Sequence, residues 1–195
     1  PEMVILTGAR PLIIYAGAEQ DFKITPDQID KAVTPKTRAI MINSPSNPTG
    51  SAYNKEELEK LADCALRHKL LIISDEIYEQ IVFDGFRHTS IASISKEVQK
   101  QCVVINGVSK SYAMTGWRIG YIAAGNPEIT KQAGKLQGQS TSNPCSVSQA
   151  ASIEALAGPL DEVYAMVSEF EKRRDIIVEH LRQIPGVSCN TPKGS

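Results

Sequence analysis

The chain has 195 residues, of which 42% are hydrophobic and 22% are charged, as in a globular protein that buries a substantial core. Its formal net charge of -1 provides neither the basic field that binds nucleic acid nor a lysine-rich face for a membrane surface. No apolar run approaches the roughly 18 residues of a membrane span, and the amino-terminal residues lack the layout of a signal peptide. We therefore expect neither nucleic acid nor membrane as a partner.

The first part of the chain predicts alternating strands and helices. Apolar runs at 12–15 and 37–43 predict two strands. Between them Thr25 is a suitable N-cap with proline after it, so a helix should begin there. After the SPSNPTG loop, Asn54 with Glu57 three residues later predicts a capping box and a further helix.

Further apolar runs continue this alternation. The run at 70–74 is continuous, which is typical of a strand buried on both faces of a parallel sheet. Residues 76–83 are compatible with either a helical turn or a strand. A short helix near 95–100 leads to a strand at 102–106, and IGYIAA from 119 predicts another strand. The pattern predicts an α/β fold, with a mainly parallel sheet and helices on both faces.

Beyond residue 125 the sequence is predominantly helical. Asn126 marks the start of one helix, and SVSQAASIEALAG predicts another. A long amphipathic helix is predicted over 159–184. The residues predicted for its apolar stripe are Val163, Val167, Phe170, Ile177, Leu181 and Ile184.

The two ends of the sequence and its long helix suggest a fragment that contains parts of two domains. The chain begins at Pro1 and closes on TPKGS, so we interpret it as a fragment. We expect residues 1–158 to form a large domain without its amino-terminal part and 159–184 to form an interdomain helix. Residues 185–195 would begin a second, smaller domain.

The cysteines and histidines are scattered along the chain. Cys64, Cys102, Cys145 and Cys189 are far apart and form no CxxC pair. We interpret them as reduced thiols of a cytosolic protein, with disulfides as the alternative. The three histidines lack metal-ligand spacing, so we predict no metal site.

Polar residues follow three of the predicted strands directly, and a loop after the third strand carries a lysine and an arginine eight residues apart. These residues are Asn47, Asp75, Tyr78, Ser109, Lys110 and Arg118. In an open parallel sheet the ligand site lies beyond the carboxyl ends of the strands. We therefore expect these side chains to converge on one crevice that holds a small anionic ligand.

Four of these residues also have a purely structural interpretation. Asn47 could shape a turn, and Asp75 could cap a helical turn that begins at the next residue. Tyr78 could be a core aromatic residue, and Arg118 could form a surface ion pair. One shared site accounts for all four at once.

The ordered motifs resemble those of the class I, aspartate aminotransferase-like enzymes of the type I pyridoxal-phosphate fold. GVSKSYAMTGWRIG matches the family's lysine signature, with its arginine eight residues after the lysine. NPTG at 47–50 and SDEIYE at 74–79 match in the same order. SPSNPTG, AMTGWRIGY and KLQGQSTSNP most resemble the bacterial and plant aspartate or aspartate/prephenate aminotransferases. The resemblance covers nearly the whole chain and implies the large, cofactor-binding domain of that fold.

The resemblance implies roles around a pyridine ring. Lys110 would form a Schiff base with the aldehyde of pyridoxal 5'-phosphate and then carry a proton between the substrate and the cofactor. Asp75 would pair with the ring nitrogen. Tyr78 and Asn47 would bind the ring oxygen, and Asn47 would also lie near the substrate carboxylate.

The resemblance also implies how the phosphate is held. Arg118 would bind it through paired charged hydrogen bonds. Many family members carry a serine three residues before the lysine, whereas this chain has Gly107, and Ser109 is the substitute hydroxyl. The family's phosphate loop and ring-stacking aromatic residue would precede residue 1, and its substrate-carboxylate arginine would follow residue 195. We therefore expect the 195-residue chain alone to be inactive.

The resemblance predicts an aminotransferase that moves an amino group between an amino acid, aspartate or glutamate, and a 2-oxo acid. It also implies a homodimer, because members of the family build each site with residues from a second subunit. One alternative keeps the fold and cofactor but performs elimination or decarboxylation. A second alternative is a structural fragment that binds no cofactor.

Overall fold

The computed structural model describes all 195 residues as a mixed α/β fold. The helices are α1 (Glu2–Leu6), α2 (Pro26–Ala32), α3 (Lys55–Arg67), α4 (Lys96–Lys100), α5 (Pro127–Ser140), α6 (Ser146–Ala157) and α7 (Asp161–Arg182). The strands are β1 (Ala39–Asn43), β2 (Leu71–Asp75), β3 (Cys102–Gly107) and β4 (Gly120–Ala124). No helix combines the length and the apolar character that crossing a membrane requires.

The four strands form one sheet in the order β1-β2-β3-β4. The first two pairings are parallel, and β4 returns antiparallel to β3. Asn43 lies beside Asp75, and Asp75 lies beside Ile105, so these three strands reach the same edge of the sheet. The mainly parallel α/β sheet that the sequence predicts is confirmed.

Two helices begin where the sequence predicts. The side chain of Thr25 accepts a hydrogen bond from the N–H of Gln28 at the start of α2. At the start of α3, Asn54 Oδ1 accepts from the N–H of Glu57 at 2.9 Å, and Glu57 Oε2 accepts from the N–H of Asn54 at 2.8 Å. Both arrangements are capping boxes, and they satisfy backbone donors that have no partner inside the helix.

The main core lies between α3 and one face of the sheet. Its buried residues include Leu58, Leu61, Ala62 and Ala65 of α3, Ile40 and Ile42 of β1, Ile72 of β2, Ile29 of α2 and Val98 of α4. Met41 and Ile105 are 58% and 37% exposed, so the opposite face is more open. Burial in β2 alternates accordingly, although the apolar run at 70–74 predicts burial on both faces.

The predicted strand at 12–15 is wrong. These residues have no regular structure, and Leu12, Ile13 and Tyr15 are largely exposed. Only Ile14 packs against the core. A strand requires a hydrogen-bonded neighbour, and the free edge of β1 does not pair with this segment. The short helix α1 precedes it, and the sequence pattern did not predict this helix.

The long helix is observed, but its buried stripe differs from the prediction. Val163 and Val167 are buried as predicted, and the other four predicted stripe residues are exposed. The buried line continues instead through Arg174 and Val178. This buried line departs from the apolar pattern because the guanidinium of Arg174 pairs with Asp84, which comes directly after residues 76–83 that follow β2.

Candidate active site

The carboxyl ends of β1 and β2 are joined by an asparagine that the sequence analysis did not select. Asn43 Nδ2 donates a hydrogen bond to the carbonyl of Asp75 at 3.2 Å. Asn43 Oδ1 accepts one from the N–H of Asn47 at 3.1 Å. Asn43 therefore fixes the loop of Asn47 relative to the end of β2. An asparagine as the last residue of an otherwise apolar strand was the available signal.

Three of the predicted site residues lie together. Asn47 Nδ2 donates a hydrogen bond to the phenolic oxygen of Tyr78 at 2.8 Å. The Nζ of Lys110 lies 5.4 Å from the centroid of the Tyr78 ring. The structural interpretation of Tyr78 also holds, because the residue is only 9% exposed and packs with Ile81 and Phe83.

Asp75 is the last residue of β2 and is half-buried. Its Oδ1 accepts a hydrogen bond from the N–H of Ile77 at 3.2 Å, and residues 77–80 form turns. The segment that was compatible with a helix or a strand is therefore a turn, followed by a single bridge between Val82 and Gly194. Asp75 shapes the start of this turn and keeps its second carboxylate oxygen available.

Ser109 and Arg118 lie at the same end of the sheet without a hydrogen bond to Lys110. Gly107 pairs with Gly120 across β3 and β4, so Ser109 leaves β3 where Arg118 enters β4. The hydroxyl of Thr115 donates to the carbonyl of Ser109 at 2.8 Å, and Arg118 Nη1 donates to the carbonyl of Thr115 at 2.9 Å. Arg118 is exposed and has a positive φ of 55°. That left-handed conformation is uncommon for a residue with a side chain.

A buried carboxylate lies immediately behind the site. Glu76 is 2% exposed. Its Oε1 accepts hydrogen bonds from the hydroxyls of Ser74 and Ser90 at 2.8 and 3.0 Å and from the N–H of Ile91 at 3.3 Å. Its Oε2 lies 3.1 Å from Nε2 of His88. Glu76 therefore ties the turn between Asp75 and Tyr78 to the segment 88–91, a role that its sequence neighbours did not reveal.

The fold brings histidines beside acidic groups that are distant in sequence. Potential ligand atoms of Asp30, Cys64 and His68 lie within 4.8 Å of one another, as do those of Glu76, Glu79 and His88. The spacing of the histidines along the sequence therefore did not reveal either group. In each one a histidine and a carboxylate already pair, with His68 Nε2 at 2.6 Å from the Asp30 Oδ1 atom. The four cysteines are free thiols.

A cavity of about 450 Å³ lies beside the loop that carries the lysine. It is bounded by Ser111, Tyr112 and Met114 on one side and by residues of α6 and α7 on the other. None of the six predicted site residues lines it. Burial, and secondarily Glu79, raise the pKa of the phenol of Tyr112.

The site residues offer a defined set of chemical groups. Lys110 supplies an amine that can bond a carbonyl carbon, and Asp75 supplies a carboxylate that can pair with a cationic nitrogen. The contact between Asn47 and Tyr78 places two polar groups where they can meet one ligand oxygen. Arg118 supplies a guanidinium suited to an anion such as phosphate.

Comparison with known proteins gives consistent results. The model of the family "aminotransferase class I and II" matches residues 1–195. The chain is 52% identical over its full length to an aspartate aminotransferase of Bacillus sp. strain YM-2 and covers 50% of that protein. It is 46% identical over 196 aligned residues to an aspartate/prephenate aminotransferase of Cereibacter sphaeroides and covers 49% of that protein.

A solved structure supports the same relationship. The crystal structure of the aspartate aminotransferase from Rhizobium meliloti superimposes on the whole chain with a TM-score of 0.96 at 40% identity. The chain covers 48% of that structure. The chain therefore spans about half the length of the relatives that it matches.

Proposed function

The chain belongs to the family of class I and II aminotransferases, and on that premise we propose that the whole protein is an aminotransferase dependent on pyridoxal 5'-phosphate. It would transfer an amino group between aspartate or glutamate and a 2-oxo acid, in keeping with the names of its relatives. The observation that carries the proposal is the grouping of Asn47, Tyr78 and Lys110, in which an amide, a phenol and an amine meet at one edge of the sheet.

The groups in the site fit this cofactor. An aldehyde requires an amine, a pyridine nitrogen requires a carboxylate, and a phosphate requires a cation or hydrogen-bond donors. Lys110, Asp75 and Arg118 provide these three, and they lie at the ends of β2 and β3 and the start of β4. When bound, pyridoxal phosphate supplies an electron-withdrawing ring that stabilises negative charge at the substrate Cα.

The residues nearest the reacting atoms bind the cofactor and move a proton. Lys110 Nζ would hold the cofactor through its aldehyde carbon and, when a substrate amine replaces it, would carry the proton at the substrate Cα. Asp75 would keep the ring nitrogen protonated by accepting its hydrogen bond. Tyr78 and Asn47 would bind the ring oxygen, and Asn47 would also lie near the substrate carboxylate.

Two further residues would hold the phosphate. Arg118 would bind it as a charged donor, and the hydroxyl of Ser109 would replace the one that Gly107 lacks. Both leave the same end of the β3–β4 pair, which supports this role. Both residues form a hydrogen bond with Thr115, and these two bonds would keep the loop in place when the anion binds.

The proposal includes the organisation of the whole protein. Residues 1–158 would belong to the cofactor-binding domain, 159–184 would form the interdomain helix and 185–195 would begin a smaller domain. We propose a homodimer in the cytoplasm. The four free thiols support a reducing compartment.

The first test follows the visible absorption of the full-length protein with added pyridoxal phosphate, before and after reduction by borohydride. We expect a chromophore linked to Lys110, with the reduced adduct located on its peptide by mass spectrometry. Lys110→Ala should abolish the adduct, whereas Lys135→Ala, which removes an exposed lysine of α5, should leave it unchanged. An adduct that persists in Lys110→Ala would refute the assignment.

A second test identifies the reaction. The full-length enzyme is supplied with aspartate and 2-oxoglutarate, and the products are analysed. Transamination yields glutamate, whereas elimination or decarboxylation of aspartate does not. Absence of glutamate from an enzyme that carries the lysine-linked chromophore would favour the lyase alternative.

A further inference from the structure

The long helix α7 contributes a buried arginine that the proposed chemistry does not use. Arg174 is 7% exposed. Its guanidinium binds Asp84 at both ends, with Nη1 to Oδ2 at 3.0 Å and Nη2 to Oδ1 at 2.8 Å. It also lies 5.1 Å from the centroid of the Phe83 ring. A buried guanidinium in this bidentate geometry is a strong and directional attachment.

The same guanidinium binds the segment that follows α7. Arg174 Nη1 donates a hydrogen bond to the carbonyl of Pro192 at 2.7 Å. The Nζ of Lys193 lies 3.2 Å from Asp84 Oδ2, which adds a second cation to the same carboxylate. Residues 192–195, which we term the clip, are therefore attached to Arg174 of α7 and to Asp84.

The clip lies between the two segments that carry site residues. On one side, the N–H groups of Lys193 and Gly194 donate to the carbonyl of Gly50 at 2.7 and 3.1 Å. On the other side, the N–H of Phe83 donates to the carbonyl of Lys193 at 2.9 Å, and the N–H of Ser195 donates to the carbonyl of Ile81 at 3.0 Å. The clip therefore bridges the loop that ends at Gly50 and the segment 81–83.

The fit of the clip against the loop leaves no spare space. A Cβ atom at Gly50 would lie 2.4 Å from Cβ of Pro192. A Cβ atom at Gly194 would lie 2.5 Å from the carbonyl oxygen of Ile81. Distances this short exclude a side chain, so the clip packs directly against both segments.

Both bridged segments lead within a few residues to the site. Asn47 lies three residues before Gly50 in the same loop, and the N–H of Gly50 donates to the carbonyl of Ser46 at 2.7 Å. The N–H of Ile81 donates to the carbonyl of Tyr78 at 2.8 Å. The two segments meet again at the hydrogen bond between Asn47 and Tyr78.

We propose that Arg174 is a positioning residue that acts through the clip. By holding Asp84 and the carbonyl of Pro192, it sets the separation of the two segments and so the geometry of the Asn47–Tyr78 pair beside Lys110. The effect on cofactor binding rests on the proposed function. The effect on the clip itself does not.

The test uses the full-length protein with Arg174→Met, which keeps most of the apolar volume and removes the guanidinium. In the cofactor-free protein, hydrogen exchange should rise about tenfold at the amides of the clip, of 46–51 and of 78–83, because these segments then open locally. The α3 helix should be unaffected. In the loaded protein we expect affinity for pyridoxal phosphate to fall about tenfold, equivalent to about 1.4 kcal/mol, and the pH midpoint of the lysine-linked absorption to move.

Controls separate positioning from general destabilisation. Arg173→Met removes the neighbouring, exposed arginine of α7 and should behave as the wild type. Ile29→Val loosens the main core beside α3, which includes no residue of the clip, and should lower stability without moving the pH midpoint. If Arg174→Met does not fold, Asp84→Asn carries the test, because it removes the carboxylate charge from an exposed position and should produce smaller changes of the same kind.

Two results would overturn the proposal. The first is unchanged exchange at 46–51 and 78–83 in either variant. The second is exchange that rises in these segments while cofactor affinity and the pH midpoint stay at wild-type values. Failure of the wild type to bind pyridoxal phosphate would instead refute the proposed function, and the exchange data would still decide whether the clip controls the two segments.

Discussion

Replacing the buried carboxylate behind the site should reveal how much it contributes to stability. Glu76→Ala removes the acceptor of Ser74, Ser90 and the N–H of Ile91 and leaves His88 without its partner. Each buried donor left without an acceptor costs about 1–3 kcal/mol, and partial rehydration reduces the sum. For the three donors to Oε1 we therefore expect the free energy of unfolding to fall by about 3–5 kcal/mol.

Glutamine provides the matched comparison for this site. Glu76→Gln retains Oε1 for its three donors and places an amide nitrogen, in place of the second carboxylate oxygen, beside Nε2 of His88. Hydrogen bonds to a charged group contribute about 1.5–3 kcal/mol and neutral ones about 0.5–1.5 kcal/mol, so we expect a loss of about 1–2 kcal/mol.

Urea unfolding of the full-length, cofactor-free protein, followed by circular dichroism, measures both variants under the same conditions. If alanine and glutamine shift the midpoint equally, the hydrogen bonds to Oε1 do not carry the effect. A shift below that expected for one lost hydrogen bond in Glu76→Ala would refute the reasoning altogether.

Three further changes test other parts of the fold. Leu61→Ala, in the core beneath the sheet, should lower the free energy of unfolding by about 2–5 kcal/mol in urea. Asn54→Ala removes the cap of α3 and should cost about 0.5–2 kcal/mol in the same assay, with Asn54→Ser largely restoring stability. Arg174 and then Lys193 lower the pKa of Asp84 to about 2, below its unfolded value of about 3.9. The stability that this pairing contributes is therefore present above about pH 4 and lost as the pH falls towards 2, and acid unfolding of Asp84→Asn should lack that component.

Local chemistry explains which parts of the structure could be predicted. Caps are recognised from residues a few positions apart: Thr25 with the proline after it predicted the start of α2, and Asn54 with Glu57 predicted the start of α3. The apolar run at 12–15 has the composition of a strand, but a strand depends on a neighbour that no local pattern specifies. Its residues remain outside the sheet for that reason.

Burial of a charge could not be predicted in the same way. The apolar pattern of α7 favoured Ile177, yet the buried stripe passes through Arg174. A guanidinium is buried only where carboxylates and carbonyls can pair with it. Besides Glu171 and Asp175 of its own helix, its partners are Asp84, 90 residues earlier, and the carbonyl of Pro192. Periodicity within one helix carries no information about either.

The order of the site residues along the chain follows from the topology of the sheet. In β1 and β2 the parallel register pairs Asn43 with Asp75, so residues just after each strand arrive at one edge although the intervening helix separates them in sequence. The third parallel strand, β3, brings Lys110 to the same edge. Because β4 runs antiparallel to β3, it begins where β3 ends, and Arg118 lies at its start. A single loop can therefore carry both the lysine and the arginine that we propose to bind an anion, which a fourth parallel strand could not provide without a further crossover.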